Sequence, residues 1–191
     1  MNALRSIKVE DIQAILDSNP LTRQVLGHVA ALGLPDWGVG AGFVRNQIWD
    51  YMHGYPVTRT FTDIDVLYYN AGDTSKVVED ESEDNLRRAM PGVDFEVRNQ
   101  ARMHEKKGEP PYRDMEDGIR HWTETATAIA VRVDGAFTPQ APLTIIAPHG
   151  LDDLLNLVLR PTFHYHRTRA IERATAKGWK SRWPNLSFID C

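Results

Sequence analysis

Two aspartates flank one isoleucine in "FTDIDV", at Asp63 and Asp65. Successive side chains of an extended chain point to opposite faces, so these carboxylates share a face about 6.5–7 Å apart along the backbone. Ile64 and Val66 then point into a core. Two carboxylates side by side repel unless they are solvated, protonated or paired with a cation. Hard divalent ions such as Mg2+ take oxygen ligands, commonly one or two carboxylates together with substrate phosphates. "VDFEVRN" alternates apolar Val93, Phe95 and Val97 with Asp94, Glu96 and Arg98, so a strand there carries Asp94 and Glu96 on its polar face. Either acid, set beside Asp63 and Asp65, completes a three-carboxylate cluster able to hold two ions about 3.5–4 Å apart. Otherwise both are the wet face of an edge strand.

A glycine turn precedes the acid pair. Gly38, Gly40 and Gly42 in "WGVGAGF" let backbone N–H groups approach a ligand closely, and the start of the following helix favours anions. This is a phosphate cradle in kind. It is not a P-loop, because no Gly-Lys-Ser/Thr follows, and the G-x-G-x-x-G spacing of a dinucleotide site fails. Arg45 and Asn46 open the helix after the turn, where they either reach a phosphate or cap the backbone. Arg102 and His104 in "NQARMH" follow the third strand and are candidates for nucleotide or acceptor contact. Asn99 and Gln100 suit backbone groups at that strand's end. His121 and Trp122 form either a base-stacking platform or a buried Trp with a hydrogen-bonded His. Asp152 and Asp153 fall in a helix's first turn, where acids interact favourably with the helix dipole, and are read as structural.

Other chemistries are excluded. Read as an EF-hand loop, "DIDVLYYNAGDT" has Tyr68 where glycine is required and Thr74 where glutamate is required. No G-x-S-x-G elbow occurs. The close pair His164 and His166 lacks acids at zinc-ligand spacing.

The elements that position these residues follow from periodicity. A helix is expected over residues 3–17 and a second from the Asn19 cap and Pro20 to about Gly33. A short strand then enters the glycine turn, and "FVRNQIWDYM" has helical spacing. "DIDVLYY" is a strand, "TSKVVEDESEDNLRRAM" a surface helix stopped by "PG", and "DMEDGIRHW" a short helix. "ATAIAVRVDGAFTPQAPLTIIAP" reads as two strands. "GLDDLLNLVL" and "YHRTRAIERATAKGW" are the last helices, before a Trp- and Pro-containing tail. Strands and helices interleave, so the class is α/β or α+β, a small mixed β-sheet with helices packed on it.

The chain has 191 residues, 42% hydrophobic and 25% charged, which suits one domain over residues 1–191 with N-terminal helices and a C-terminal helical extension. Cys191 is the only cysteine, so a cysteine metal cluster is excluded. No apolar run reaches the length of a membrane span and the N-terminus lacks a signal peptide's continuous apolar region, which together make a cytoplasmic protein the expectation. A net charge of −4 gives no global basic field, so nucleic acid is not an expected partner. Local basic stretches remain in "RHWTETATAIAVR" and in "RPTFHYHRTRAIER", the latter read as a solvated helix face.

A glycine turn, a helix, Asp-x-Asp on a strand and an acid on a later strand together resemble the DNA polymerase β-like nucleotidyltransferase superfamily. Within it, "GAGFVRN", "WDYMHG", "DIDVLYYN", "RNQARMH", "PYRDMEDGIRHWTETATAIAVR" and "APHGLDDLLNLVLRPT" resemble a bacterial nucleotidyltransferase-like family over roughly residues 35 to 190. The resemblance implies that Asp63 and Asp65 bind Mg2+ or Mn2+, with Glu96 as third carboxylate and Asp94 its alternative. Gly40, Ala41 and Gly42 would be the phosphate-facing turn. A nucleoside monophosphate would pass from a nucleoside triphosphate to a small-molecule or protein acceptor. The alternative is a catalytically inactive nucleotide-binding or antitoxin-like regulatory protein on the same fold, with a protein partner. Two departures from the superfamily stand out: Ala41 replaces the usual Gly or Ser of the turn, and "YMHGYPVTRTF" lengthens the path to Asp63.

Overall fold

The computed structural model describes residues 4–57, 60, 61 and 63–189. Helices α1 (Asp11–Asp17) and α2 (Pro20–Ala30) come first. The Asn19 side chain accepts from Leu21 N at 3.1 Å and Pro20 takes the first helical position, as the sequence suggests. The expected helix over residues 3–17 is shorter. Asp11 reaches back to the Lys8 N–H at 2.8 Å, and Arg5 N donates to Met52 O at 3.0 Å, so the leading residues run along the protein instead.

Strand β1 (Gly38–Gly40), helix α3 (Gly42–Met52) and strand β2 (Ile64–Tyr68) follow, then α4 (Val77–Ala89) and β3 (Phe95–Asn99). Next come α5 (Met115–Arg120), β4 (Ala130–Arg132), β5 (Thr144–Ile146) and α6 (Asp152–Leu155). Five strands form a mixed sheet in the order β3-β2-β1-β4-β5, with β2 and β3 parallel and the other pairs antiparallel. This is the expected class.

The middle strand is glycine-rich for a packing reason. A Cβ on Gly40 would lie 2.6 Å from Ile129 O and 3.3 Å from the Ala130 Cβ, so only glycine lets the strand lie this close to its neighbour. Helix α3 packs against β1 and β2, burying Phe43, Val44, Ile48 and Trp49. Helix α4 lies along β3, the sheet's outer strand, and turns two carboxylates to it. Val97 N donates to Glu83 Oε1 at 2.9 Å and Asn99 N to Glu79 Oε1 at 2.8 Å. Buried Asn99 ties off the strand end, accepting from Asn70 N and Ala101 N and donating to Asn70 O and Asp73 O.

The C-terminal part departs from expectation. Leu157, at φ 56, ends the expected long helix early, and Val158–Leu159 becomes strand β6. It pairs in parallel with β7 (Ser187–Phe188) in the tail. The last expected helix is broken at Gly178 (φ 61) into α7 (Arg167–Ala176) and α8 (Trp179–Arg182). Trp179 and Trp183 then meet Trp49 edge-on, at 6.3 and 5.1 Å between ring centres. Among the described residues no helix is long and apolar enough to cross a membrane.

Candidate active site

The sheet register sets the acid pair. Asp65 pairs with Gly40 on β1 and with Glu96 on β3. One neighbour has no side chain, which leaves room above the strand; the other is a carboxylate. Asp63 lies just before β2, its carboxylate 61% exposed, with Lys177 Nζ 3.9 Å away. Asp94 lies outside β3, where its carbonyl accepts from Ile64 N at 3.0 Å. Glu96 is thus the acid opposite Asp65, and its Oε1 is 3.0 Å from Arg98 Nε.

Burial pushes the Asp65 carboxyl up to about 6, and the charges of Asp63 and Glu96 push the same way against Lys177 and Arg45. Two negative neighbours and partial desolvation make this a place where bound positive charge is favoured. Among the described residues, no three His, Cys, Asp or Glu side chains are gathered closely enough to hold a metal ion by themselves. Two carboxylates on one wall are the kind of oxygen donors that Mg2+ commonly takes together with substrate phosphates.

The turn is strained at one residue. Ala41 has φ 52 and ψ −122, a conformation that suits glycine, and its N–H donates to Ile129 O at 2.9 Å. That amide is occupied. Its carbonyl accepts from Arg45 N at 3.0 Å, which starts α3 at Gly42 and leaves the helix's opening N–H groups without partners inside the helix. Arg45 is buried, 4% exposed, with Nη1 2.6 Å from Thr127 Oγ1, Nη2 3.0 Å from Asn46 Oδ1, and its guanidinium 4.2 Å from the Trp179 ring centre. Burial lowers its pKa to about 10, which still leaves it charged at neutral pH.

Two cavities meet at the acid pair. Ala41, Asp63, Asp65, Thr127, Arg173 and Lys177 line both. The first, of about 330 Å³, opens toward α3 and α8 and adds Gly42, Arg45, Asn46, Phe61 and Trp179; we term it the turn-side lobe. The second, of about 420 Å³, opens along β3 and adds Glu96, Arg98, Lys106, Lys107, Trp122 and Arg169; this is the edge-side lobe. Arg173 is aimed by buried Glu124, whose Oε1 accepts from its Nε at 3.0 Å.

Of the residues singled out from sequence, Asp63, Asp65, Glu96, Ala41, Gly42, Arg45 and Asn46 line these lobes. Gly40 lies in β1 and Asp94 outside both lobes. Arg102 is turned away to α4, its Nε 2.9 Å from Glu79 Oε1, and His104 packs edge-on to Tyr112 at 5.9 Å. His121 donates from Nδ1 to Asp117 O at 2.9 Å and stacks on Tyr112. Asp153 takes Thr125 Oγ1 and Arg160 Nε, a structural use. Residues 58 and 59 of the segment that lengthens the path to Asp63, and residue 62 after it, lie outside the described residues.

The stretch expected to be a solvated helix face holds what sequence reasoning missed. Arg169 and Arg173 on α7 and Lys177 just past its end are spaced four residues apart, and all three line the edge-side lobe. Their i, i+4, i+8 spacing was the available signal.

The family model for nucleotidyltransferases matches residues 27–188. Among solved structures, one described as revealing a CCA-adding enzyme head domain is 29% identical, with a TM-score of 0.82 and 97% of each chain covered. A CCA-adding enzyme in complex with CTP is 15% identical with a TM-score of 0.55. The Thermotoga maritima CCA-adding enzyme complexed with tRNA is 16% identical with a TM-score of 0.56. These last two share the fold, and the present chain spans only 44% and 43% of their lengths. No curated protein matches the chain.

Proposed function

The chain belongs to the nucleotidyltransferase family, and from that premise we propose that it moves a nucleoside monophosphate from a nucleoside triphosphate to an acceptor hydroxyl, using Mg2+ or Mn2+ held by Asp63 and Asp65. The observation that carries this is the acid pair in the wall common to two lobes, one for each substrate. The triphosphate belongs in the turn-side lobe, beside Arg45, Asn46 and the opening N–H groups of α3. Arg173, fixed by Glu124, and Lys177 lie where the transferred phosphate passes from one lobe to the other. Glu96, opposite Asp65, adds negative charge on the side of the incoming hydroxyl.

A divalent ion there supplies charge neutralisation to the triphosphate. The chain's own residues supply position. The acceptor oxygen bonds to the α-phosphorus as that phosphorus loses its bond to the pyrophosphate oxygen, pyrophosphate leaves with the electron pair, and the hydroxyl proton passes to water. Holding the two reactants in one wall makes this step effectively unimolecular. CCA-adding enzymes have been solved with CTP and ATP and with tRNA, so a nucleic-acid acceptor belongs among those to be tried, despite the chain's net acidity.

The test is a thermal shift with each nucleoside triphosphate plus Mn2+, for wild type and Asp65→Asn side by side. Stabilisation of wild type alone is expected. No shift for wild type at millimolar nucleotide would end this reading. The occupied Ala41 amide favours a second reading, nucleotide binding without turnover. Release of pyrophosphate in the presence of acceptors separates the two.

A further inference from the structure

The two lobes differ in what their cations already hold. In the turn-side lobe Arg45 is spent on Thr127, Asn46 and Trp179, and Arg182 pairs with Asp50 at 2.7 Å. In the edge-side lobe Arg98 is held by Glu83 at 2.7 Å and Glu96 at 3.0 Å. Lys107 Nζ donates to the His121 carbonyl. Lys106 and Arg169 are exposed and have neither a carboxylate nor a hydrogen-bond partner among the described residues. Arg169 also stands close to Lys107, which burial and the Arg169 charge together hold below the ordinary lysine range against the pull of Glu109. Asp63, Asp65 and Glu96 line the same lobe, yet Lys106 and Arg169 pair with none of them, so these two cations are left to an incoming anion. A neutral hydroxyl acceptor makes no use of them.

Resting on the transfer reading above, we propose that the edge-side lobe is the acceptor site and that the acceptor carries a phosphate of its own. Lys106, Lys107 and Arg169 hold that phosphate at the outer end of the lobe. Trp122 offers an apolar face to the carbon skeleton between, and the nucleophilic hydroxyl lies at the Asp63–Asp65 wall. A volume of about 420 Å³ suits a ligand the size of a sugar phosphate or one nucleotide unit. The phosphate group is the shared chemistry; a small metabolite and the end of a polynucleotide are its two sources.

Isothermal titration without metal or nucleotide tests this, with ribose phosphate, ribose and a short single-stranded RNA as probes. The proteins are wild type and the double variant Lys106→Ala/Arg169→Ala. Ribose phosphate is expected to bind wild type, about tenfold more weakly to the double variant, and ribose not at all. RNA binding tighter than ribose phosphate, with the same loss in the double variant, supports the polynucleotide source; equal or weaker RNA binding supports the metabolite. Equal affinity of wild type and double variant, or ribose as tight as ribose phosphate, overturns the proposal. Nucleotide with Mn2+ must still stabilise the double variant. Loss of that shift in the double variant alone would mean the lobe holds the nucleotide and overturns the acceptor assignment, whereas its absence in wild type defeats the transfer reading itself.

Discussion

Asp50 and Asp65 both line the turn-side lobe, yet their surroundings are opposite. Asp50 takes Trp183 Nε1 at 2.8 Å and Arg182 Nη2 at 2.7 Å, and Tyr55 adds a hydroxyl to the Arg182 carbonyl. Asp65 has two carboxylates for neighbours, no hydrogen-bond donor among the described residues, and a pKa raised to about 6. One aspartate docks α8 on α3 and serves the fold. The other is left costly, which a folded protein tolerates where a ligand supplies the missing positive charge.

Substitution should therefore act in opposite directions at the two positions. Asp65→Asn is expected to cost about 10³-fold in transfer, the several kcal/mol of charge stabilisation a metal supplies, while raising the melting temperature, because a partly desolvated charge beside two like charges disappears. A turnover assay beside a melting curve checks both, and a fall in melting temperature would break the contrast. Asp50→Ala should do the reverse, lowering stability by about 2–3 kcal/mol and the melting temperature by roughly 5–10 °C, with the buried Trp183 N–H left unpaired.

Acid sharpens the comparison further. Below about pH 6 the Asp65 carboxyl takes up a proton, so Mn2+-dependent stabilisation by nucleotide should fade as pH drops through that value. Its effect on folding has the opposite sign. Between the ordinary 3.8 and about 6 the folded state binds a proton that the unfolded state does not, so this residue's contribution to stability falls as pH rises through that window. Melting curves from pH 4 to 7 should show that slope in wild type and lose it in Asp65→Asn. The smallest effect is at Ala41. Replacing it by glycine relieves the φ 52 backbone against a small gain in unfolded-state entropy, for a net gain of about 1 kcal/mol, read as a rise of roughly 2–4 °C.

What was legible in the sequence was local or periodic. The Asn19–Pro20 start, the strand that carries Asp65 with Asp63 just before it, and the alternation that sets Glu96 on a polar face all depend on near neighbours in the chain. Arg102 could not be read this way, because its partner Glu79 lies 23 residues away and is nearly fully buried. Strands β6 and β7 are two residues each and exist only because the tail returns to Leu157 and Leu159. The α7 stripe was visible as spacing, but exposure and a cavity wall look the same in a sequence: both are polar.

The carboxylates that α4 turns toward β3 have a consequence for the molecule among its own copies. An outer strand ordinarily offers a row of free N–H groups on which another chain can dock as an added strand. Here Glu79 and Glu83 already occupy the amides of Asn99 and Val97, so a newcomer would have to unseat a helix first. Growth of the sheet past β3 would first have to displace those two carboxylates.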